Sequence, residues 1–335
     1  MKLLDILVLD EKKINRQLYS SGPYWNYKNA KTLIEIKKKG LENFRGISSG
    51  VGTSFTDNLT LDVRNELGKK GRLIANLLSL PFLKKIFNYQ VIQTKHYIQD
   101  YLDAISILYS KDHVVKKLIS KYKFEKTTEF GCVKKFNYND KSYSTFYLDI
   151  ANRIDNLSSR FDFLKIHSFF EIGGGFGANL HFLITNFPNI KKFIYLDTVP
   201  NIFVGTEYLR YHFKDNIVDY LQTRELKTIE FRKDNELEII CIPPWEIEKL
   251  SVKVDHFHNA ASFVEMPKEV IKNYCKYFKK FEFKEISLIS YDEFDADTTF
   301  DPEKLNEFFD QKLNIFRQSW LIEDYKRKLI YLCSK

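Results

Sequence analysis

Residues 169–197 read FFEIGGGFGANLHFLITNFPNIKKFIYLD. The stretch opens on an apolar run that ends in Glu171, and Gly173, Gly174, Gly175 and Gly177 follow almost at once. From Leu180 the apolar residues fall at Leu180, Leu183, Ile184 and Phe187, the spacing of a helix buried along one face. Pro188 cannot continue that helix, and a second apolar run then ends in Asp197. The order is strand, glycine turn, helix, strand, acid. Glycines let the backbone turn sharply and approach a ligand without a Cβ in the way. The helix start behind them offers free N–H groups and a partial positive charge. The acid about 20 residues past the loop is spaced to accept the ribose hydroxyls of an adenosine.

Two adenosine cofactors compete for this pattern. Gly173, Gly175 and Ala178 satisfy the G-x-G-x-x-A form of a dinucleotide site. Glu171, Gly173, Gly175 and Gly177 satisfy the acid-x-G-x-G-x-G form of an S-adenosylmethionine site. Glu171 favours the second. A carboxylate is repelled by a pyrophosphate and attracted by the amine of a methionine moiety.

Outward from this stretch, strands and helices alternate through the C-terminal half. Strands are expected near 168–172, 193–197, 237–242, 254–259 and 286–291, with a helix opening at Pro267. The segment 199–213 reads as a helix, and so does 302–312. Two last strands, near 315–321 and 327–333, are joined by too few residues for a parallel crossover, so they pair antiparallel. A parallel sheet with an antiparallel last strand is the class I methyltransferase layout, an α/β Rossmann-like fold. It is not the usual ending of a dinucleotide domain, which favours the methyl donor a second time.

In such sheets ligands lie at the carboxyl ends of the strands. Glu171, Gly173, Gly174, Gly175 and Gly177 are therefore expected to hold the methionine part and Asp197 the ribose. Pro243-Pro244-Trp245 follows the third strand, where Trp245 is placed to stack on adenine. Base-methylating enzymes use a similar Pro-Pro-aromatic run after an Asn or Asp; here Ile242 precedes it and can accept no proton, so no nucleic-acid partner is expected. The fourth strand ends in HFHNAASFVEM, residues 256–266. Asn259 is expected at the cofactor and Ser262 at the acceptor. Methylating a hydroxyl needs in-line placement and a group to take the proton. Glu265, His256 and His258 are the candidates. The two histidines alternate and so share one face of the strand. No spacing indicates a metal.

The chain has 335 residues, 44% hydrophobic and 29% charged, with a net charge of +8. This is an ordinary globular balance, and the surplus favours an anionic partner. Four scattered cysteines form no C-x-x-C pair, so neither a zinc nor a redox signature is present. The N-terminal apolar run is broken by Asp5 and reads as no signal peptide, and no run is long enough to span a membrane. A cytoplasmic enzyme is expected, of undetermined oligomeric state.

The N-terminal part lacks the alternation. Residues 27–39 read as a helix closed by Gly40. Residues 44–58, FRGISSGVGTSFTDN, read as a polar loop carrying Arg45, Ser48, Ser49, Ser54 and Asp57. Such a loop can close over a polar substrate, with Tyr24 and Trp25 as aromatic walls and Arg45 for a substrate phosphate. Residues 59–87 and 91–122 read as mostly helical, and 143–157 as one more helix. The expected division is a helical region over 1–160, serving as cap and substrate region, and a cofactor domain over 161–335.

Four segments together resemble the sugar O-methyltransferases of bacterial surface-polysaccharide gene clusters. They are SGPYW at 21–25, FRG and the loop after it at 44–55, EIGGGFG at 171–177, and NAASFVEM at 259–266 preceded by PPWEIEKL at 243–250. The resemblance spans most of the chain but covers 60–165 thinly. It implies S-adenosylmethionine held by Glu171, Gly173, Gly175, Asp197 and Trp245. It also implies a sugar hydroxyl as acceptor, on a nucleotide-sugar or a glycan, near Ser262 and Glu265. Two other readings stay open: an NAD-dependent nucleotide-sugar oxidoreductase, and a non-enzymatic scaffold in a polysaccharide assembly complex.

Overall fold

The computed structural model describes residues 2–46, 108–132, 135–291, 301–310, 312–319, 321 and 328–334. Its centre is an eight-stranded sheet. In chain order the strands are β3 (Ser168–Ile172), β4 (Lys192–Leu196), β5 (Ile217–Val218), β6 (Glu238–Ile242), β7 (His256–Ala260), β8 (Glu285–Tyr291), β9 (Asn314–Ser319) and β10 (Lys328–Cys333). A separate hairpin is formed by β1 (Phe136–Tyr138) and β2 (Lys141–Tyr143). The spatial order in the sheet is β5-β6-β4-β3-β7-β8-β10-β9. Every pairing from β5 to β8 is parallel, and β10 runs antiparallel to both neighbours. This is the Rossmann-like sheet with an antiparallel last strand that the sequence predicts. β3, β6 and the first four residues of β7 are buried at every position, as central strands of a sheet covered on both faces are.

Helices cover both faces. On one face lie α5 (Thr145–Leu157), α6 (Ala178–Asn186) and α7 (Asn201–Phe213), sharing a core with Phe169, Phe193 and Tyr195. On the other lies α9 (Lys268–Phe281), which buries Val270, Ile271, Tyr274, Phe278 and Phe281 at helical spacing against Phe170, Ile194 and Phe257. The short α8 (Tyr220–Thr223) is closed by a capping box of Asp219 and Gln222.

Four N-terminal helices are described: α1 (Lys2–Glu11), α2 (Arg16–Tyr19), α3 (Pro23–Lys39) and α4 (Asp112–Lys121). Leu3, Leu4 and Leu7 of α1 belong to the same buried cluster as Phe169 and Phe182. The region before 160 therefore has no core of its own among the described residues. Helix α1 and the β1–β2 hairpin are absent from the sequence reading. The expected helix over 302–312 is a 3₁₀ segment, Pro302–Phe308. Of the expected loop over 44–58 only Phe44–Gly46 is described, as a 3₁₀ turn. Ser48, Ser49, Ser54, Asp57 and the helices expected between 59 and 107 lie outside the described residues. No helix among the described residues is long and apolar enough to cross a membrane.

Candidate active site

From β3 the chain goes to β4 on one side and returns to β7 on the other. The sheet thus splits at β3, and a crevice opens where adjacent connections leave in opposite directions. The glycine turn fills the lip of this crevice. Gly173 has φ +76°, and a Cβ on it would overlap the Ser262 side chain. A Cβ on Gly174 would stand 2.6 Å from Glu171 Oε2. The turn is pinned from below by Tyr195, whose hydroxyl donates to Gly175 O at 2.5 Å and to Asn201 O at 3.1 Å. Gly177 is the N-cap of α6.

Two acids stand at the turn. Glu171 is buried; its Oε1 accepts from Asn179 Nδ2 at 3.0 Å, and its Oε2 has no hydrogen-bond partner among the described residues. Burial pushes its carboxyl up to about 8, and the nearby Asp197 adds to the rise. Asp197 Oδ2 accepts from Gly175 N at 2.8 Å, and Oδ1 accepts from Thr198 N at 2.6 Å. Burial raises Asp197 to about 7 against the pull of those two N–H groups. An orphaned buried carboxylate oxygen beside a glycine cradle fits a cationic group such as an amino-acid ammonium. It does not fit a pyrophosphate.

These residues line a cavity of about 330 Å³, the lower end of the range for small-molecule sites. One wall is the glycine turn with Asp197, Thr198 and Asn201. A second is a single face of α5, where Phe146, Asp149, Ile150, Arg153 and Ile154 recur at helical spacing. The floor beneath α5 is the sheet itself: His258 and Ala260 of β7, Ile289 and Tyr291 of β8. The fourth wall is a strap, residues 20–28, at the start of α3. Trp25 Nε1 donates to Glu265 Oε2 at 2.5 Å, and Asn29 Nδ2 donates to Thr198 Oγ1 at 3.2 Å. The strap thus spans the ends of β4 and β7.

Several solved structures are similar over part of the chain. They include the pyocyanin biosynthetic protein PhzM (10% identity, TM-score 0.36, covering 57% of this chain and 58% of that one). Another is the mitomycin 7-O-methyltransferase MmcR (12% identity, TM-score 0.35, covering 56% and 57%). A third is a SAM-dependent methyltransferase from Aquifex aeolicus (13% identity, TM-score 0.35, covering 53% and 88%). The aligned part spans a little over half the length of the first two. No family model and no curated protein matches the chain.

The cavity brings together Trp25, Glu171, Gly173, Gly174, Gly175, Asp197, His258, Ser262 and Glu265 from the sequence expectations. Glu265 is pushed up by burial, against the Trp25 N–H that holds its carboxylate. Others are placed elsewhere. Trp245 does not line the cavity; its Nε1 donates to Tyr220 OH at 3.1 Å and its ring meets Tyr220 edge-on. Asn259 is buried and committed to the scaffold, donating to Ile172 O and Ser262 Oγ and accepting from Phe263 N. His256 sits outside the cavity among Phe161, Phe163 and Phe169. Arg45 is 0% exposed. It donates to Thr127 O at 2.8 Å and Ser144 Oγ at 2.7 Å, and its guanidinium lies 5.0 Å from the Phe176 ring centroid. It therefore cannot meet a phosphate there and instead seats the glycine turn. Tyr24 lies in the first turn of α3, and its side chain is outside the described residues.

Sequence reasoning missed Asn179 and the pair Asp149–Arg153, whose ion pair measures 2.5 Å. Asp149 Oδ1 has no hydrogen-bond partner among the described residues. The i,i+4 spacing was the available signal, but on a helix it reads as a solvated surface pair.

Proposed function

We propose that this chain is an S-adenosylmethionine-dependent O-methyltransferase acting on a sugar hydroxyl in bacterial surface-polysaccharide biosynthesis. The carrying observation is the orphaned, buried Glu171 Oε2 beside the glycine turn of a sheet that ends in an antiparallel strand. When bound, the donor supplies an electrophilic methyl on a sulfonium. Glu171 would meet its ammonium, and the turn of Gly173–Gly175 would let its backbone-hugging part approach. Asp197 would take the ribose hydroxyls. The strap with Trp25 and Glu265 would shut water out. The acceptor would lie beside the donor, over the floor of His258 and Ala260 and against the α5 face. The sugar itself is supported by the sequence resemblance, through SGPYW, FRG and SFVEM. It is supported also by a wall of mixed polar and aromatic side chains, which suits a ring with one polar and one flat face.

Titration calorimetry with S-adenosylhomocysteine and with NAD tests the reading. Binding of S-adenosylhomocysteine at micromolar strength with none of NAD is expected. The reverse result would turn the reading to a nucleotide-sugar oxidoreductase. Methyl transfer to a panel of nucleotide-sugars and capsule glycans then names the acceptor. Donor binding with no transfer to any of them would favour the scaffold reading.

A further inference from the structure

Beneath the cavity, β7 and β8 carry an unbroken line of hydrogen bonds. His258 lines the cavity, and its Nδ1 is 2.7 Å from Ser287 Oγ. The same Oγ is 2.7 Å from His256 Nε2. His256 Nδ1 is 3.1 Å from Glu285 Oε2. The line exists because His256 and His258 alternate on one face of β7, and Glu285 and Ser287 stand opposite them in register on β8. Both imidazoles and Ser287 are buried, while the Glu285 side chain is 29% exposed. The line therefore runs from the cavity to the surface.

Donor and acceptor roles along it follow from its far end. Glu285 ends the line as an acceptor, so His256 donates from Nδ1 and is left with a bare Nε2. Ser287 then donates its hydroxyl proton to that Nε2, and its oxygen is free to accept from His258 Nδ1–H. Both rings must be neutral for the pattern to close. Burial lowers His258 to about 3, with the charges of His256 and Arg153 acting the same way, and burial lowers His256 too, against Glu285 and Asp255. The rings Phe161, Phe163 and Phe169 pack round His256 and offer it no competing polar partner.

We propose that Glu285, His256 and Ser287 lock His258 as the Nδ1–H tautomer, so that its bare Nε2 is the proton acceptor for the substrate hydroxyl. This rests on the methyl-transfer reading of the cavity. The hydroxyl oxygen bonds to the methyl carbon as the carbon–sulfur bond breaks and leaves its electron pair on sulfur. The hydroxyl proton goes to His258 Nε2, and a shift of one proton per link delivers it to Glu285 Oε2 at the surface. His258 is the catalytic residue of this scheme; Ser287, His256 and Glu285 are positioning residues. The cavity then need not open to lose its proton. Glu265, also in the cavity, keeps the structural bond to Trp25.

Long-range ¹⁵N–¹H spectra of the full chain, with ¹⁵N-histidine, test the lock. At pH 7 both His258 and His256 are expected neutral, with an unprotonated Nε2, the minor tautomer of the free histidine side chain. Ser287→Ala should turn His258 to the Nε2–H form or a mixture, and Ser287→Thr should restore Nδ1–H. Glu285→Gln should disturb His256 first. Addition of S-adenosylhomocysteine should move the His258 signals more than those of His256. An Nε2–H or cationic His258 in the wild type would overturn the proposal, as would a tautomer indifferent to Ser287→Ala in a protein that still binds S-adenosylhomocysteine. If the tautomers are as expected but calorimetry shows no S-adenosylhomocysteine binding, the methyl-transfer reading fails, and the catalytic role of His258 fails with it.

Discussion

The two halves of the cavity are encoded differently. The half proposed for the donor comes from one run of fewer than 30 residues: Glu171, the glycine turn and Asp197. Backbone conformation makes it, and the left-handed φ of Gly173 and Gly175 leaves a visible trace in the sequence. The half proposed for the acceptor is assembled from α5, the ends of β7 and β8 and the strap, spread from Ser20 to Tyr291. Side chains make it, and their directions depend on how distant elements pack. A site built by backbone can be read locally, whereas one built by side chains needs the tertiary fold.

The sharpest way to break this contrast is at Gly173. Gly173→Ala forces an L-residue into the left-handed region, at a cost of roughly 1–2 kcal/mol, and pushes a methyl into Ser262. S-adenosylhomocysteine affinity should fall by about a hundredfold, some 2.7 kcal/mol. Calorimetry giving an unchanged Kd would remove the backbone from the account of the donor half.

A smaller effect follows from the two buried acids. Glu171 is raised to about 8 and Asp197 to about 7, both above their unfolded values. A folded-state pKa above the unfolded one means that stability is fully present below the unfolded pKa, and drains away as pH rises through the folded one. The ligand-free protein should thus lose stability between about pH 5 and 8, read as a falling Tm. Glu171→Gln should flatten the upper part of that slope. Donor binding at pH 7 should release protons, seen as a dependence of the calorimetric heat on the buffer's ionisation enthalpy. A Tm independent of pH over this range would mean that the acids are solvated and the Glu171 oxygen is not orphaned.

The smallest effect belongs to the strap. Trp25→Phe keeps an aromatic wall and removes one N–H donor to Glu265, worth about 1 kcal/mol. The Kd for S-adenosylhomocysteine should change by about fivefold or less. A much larger change would make the strap part of the donor half.

The same contrast explains what could be read from the sequence. The sheet was legible because buried strands such as β4 and β6 leave near-continuous apolar runs, and because the short link between β9 and β10 forces them antiparallel. The glycine turn and Asp197 were legible for the backbone reasons above. Trp245 was misplaced because a residue after a strand end can leave on either side; here Tyr220 draws it away. Arg45 looked like a free loop cation because nothing local reveals Thr127 and Ser144 as its partners. Asp149 and Arg153 were invisible because burial alone separates an i,i+4 pair in a cavity wall from one in water. His256 and His258 were correctly placed on one face of β7, but only Ser287, on the neighbouring strand, links them.

Arg45 bears on modularity. Its guanidinium packs on Phe176, the residue between the last two glycines of the turn, and Phe44 packs on the same ring. The glycine turn therefore rests on a seat drawn from more than 120 positions upstream. Exchanging the sheet half between distant homologues, a common way to make chimaeras, would carry the loop away from its seat. The practical seam for recombination is not the one near residue 160 that the alternation of elements suggests. Any exchange that keeps the turn must also keep the Phe44–Arg45 dipeptide with Thr127 and Ser144, so these residues are expected to be inherited as one block.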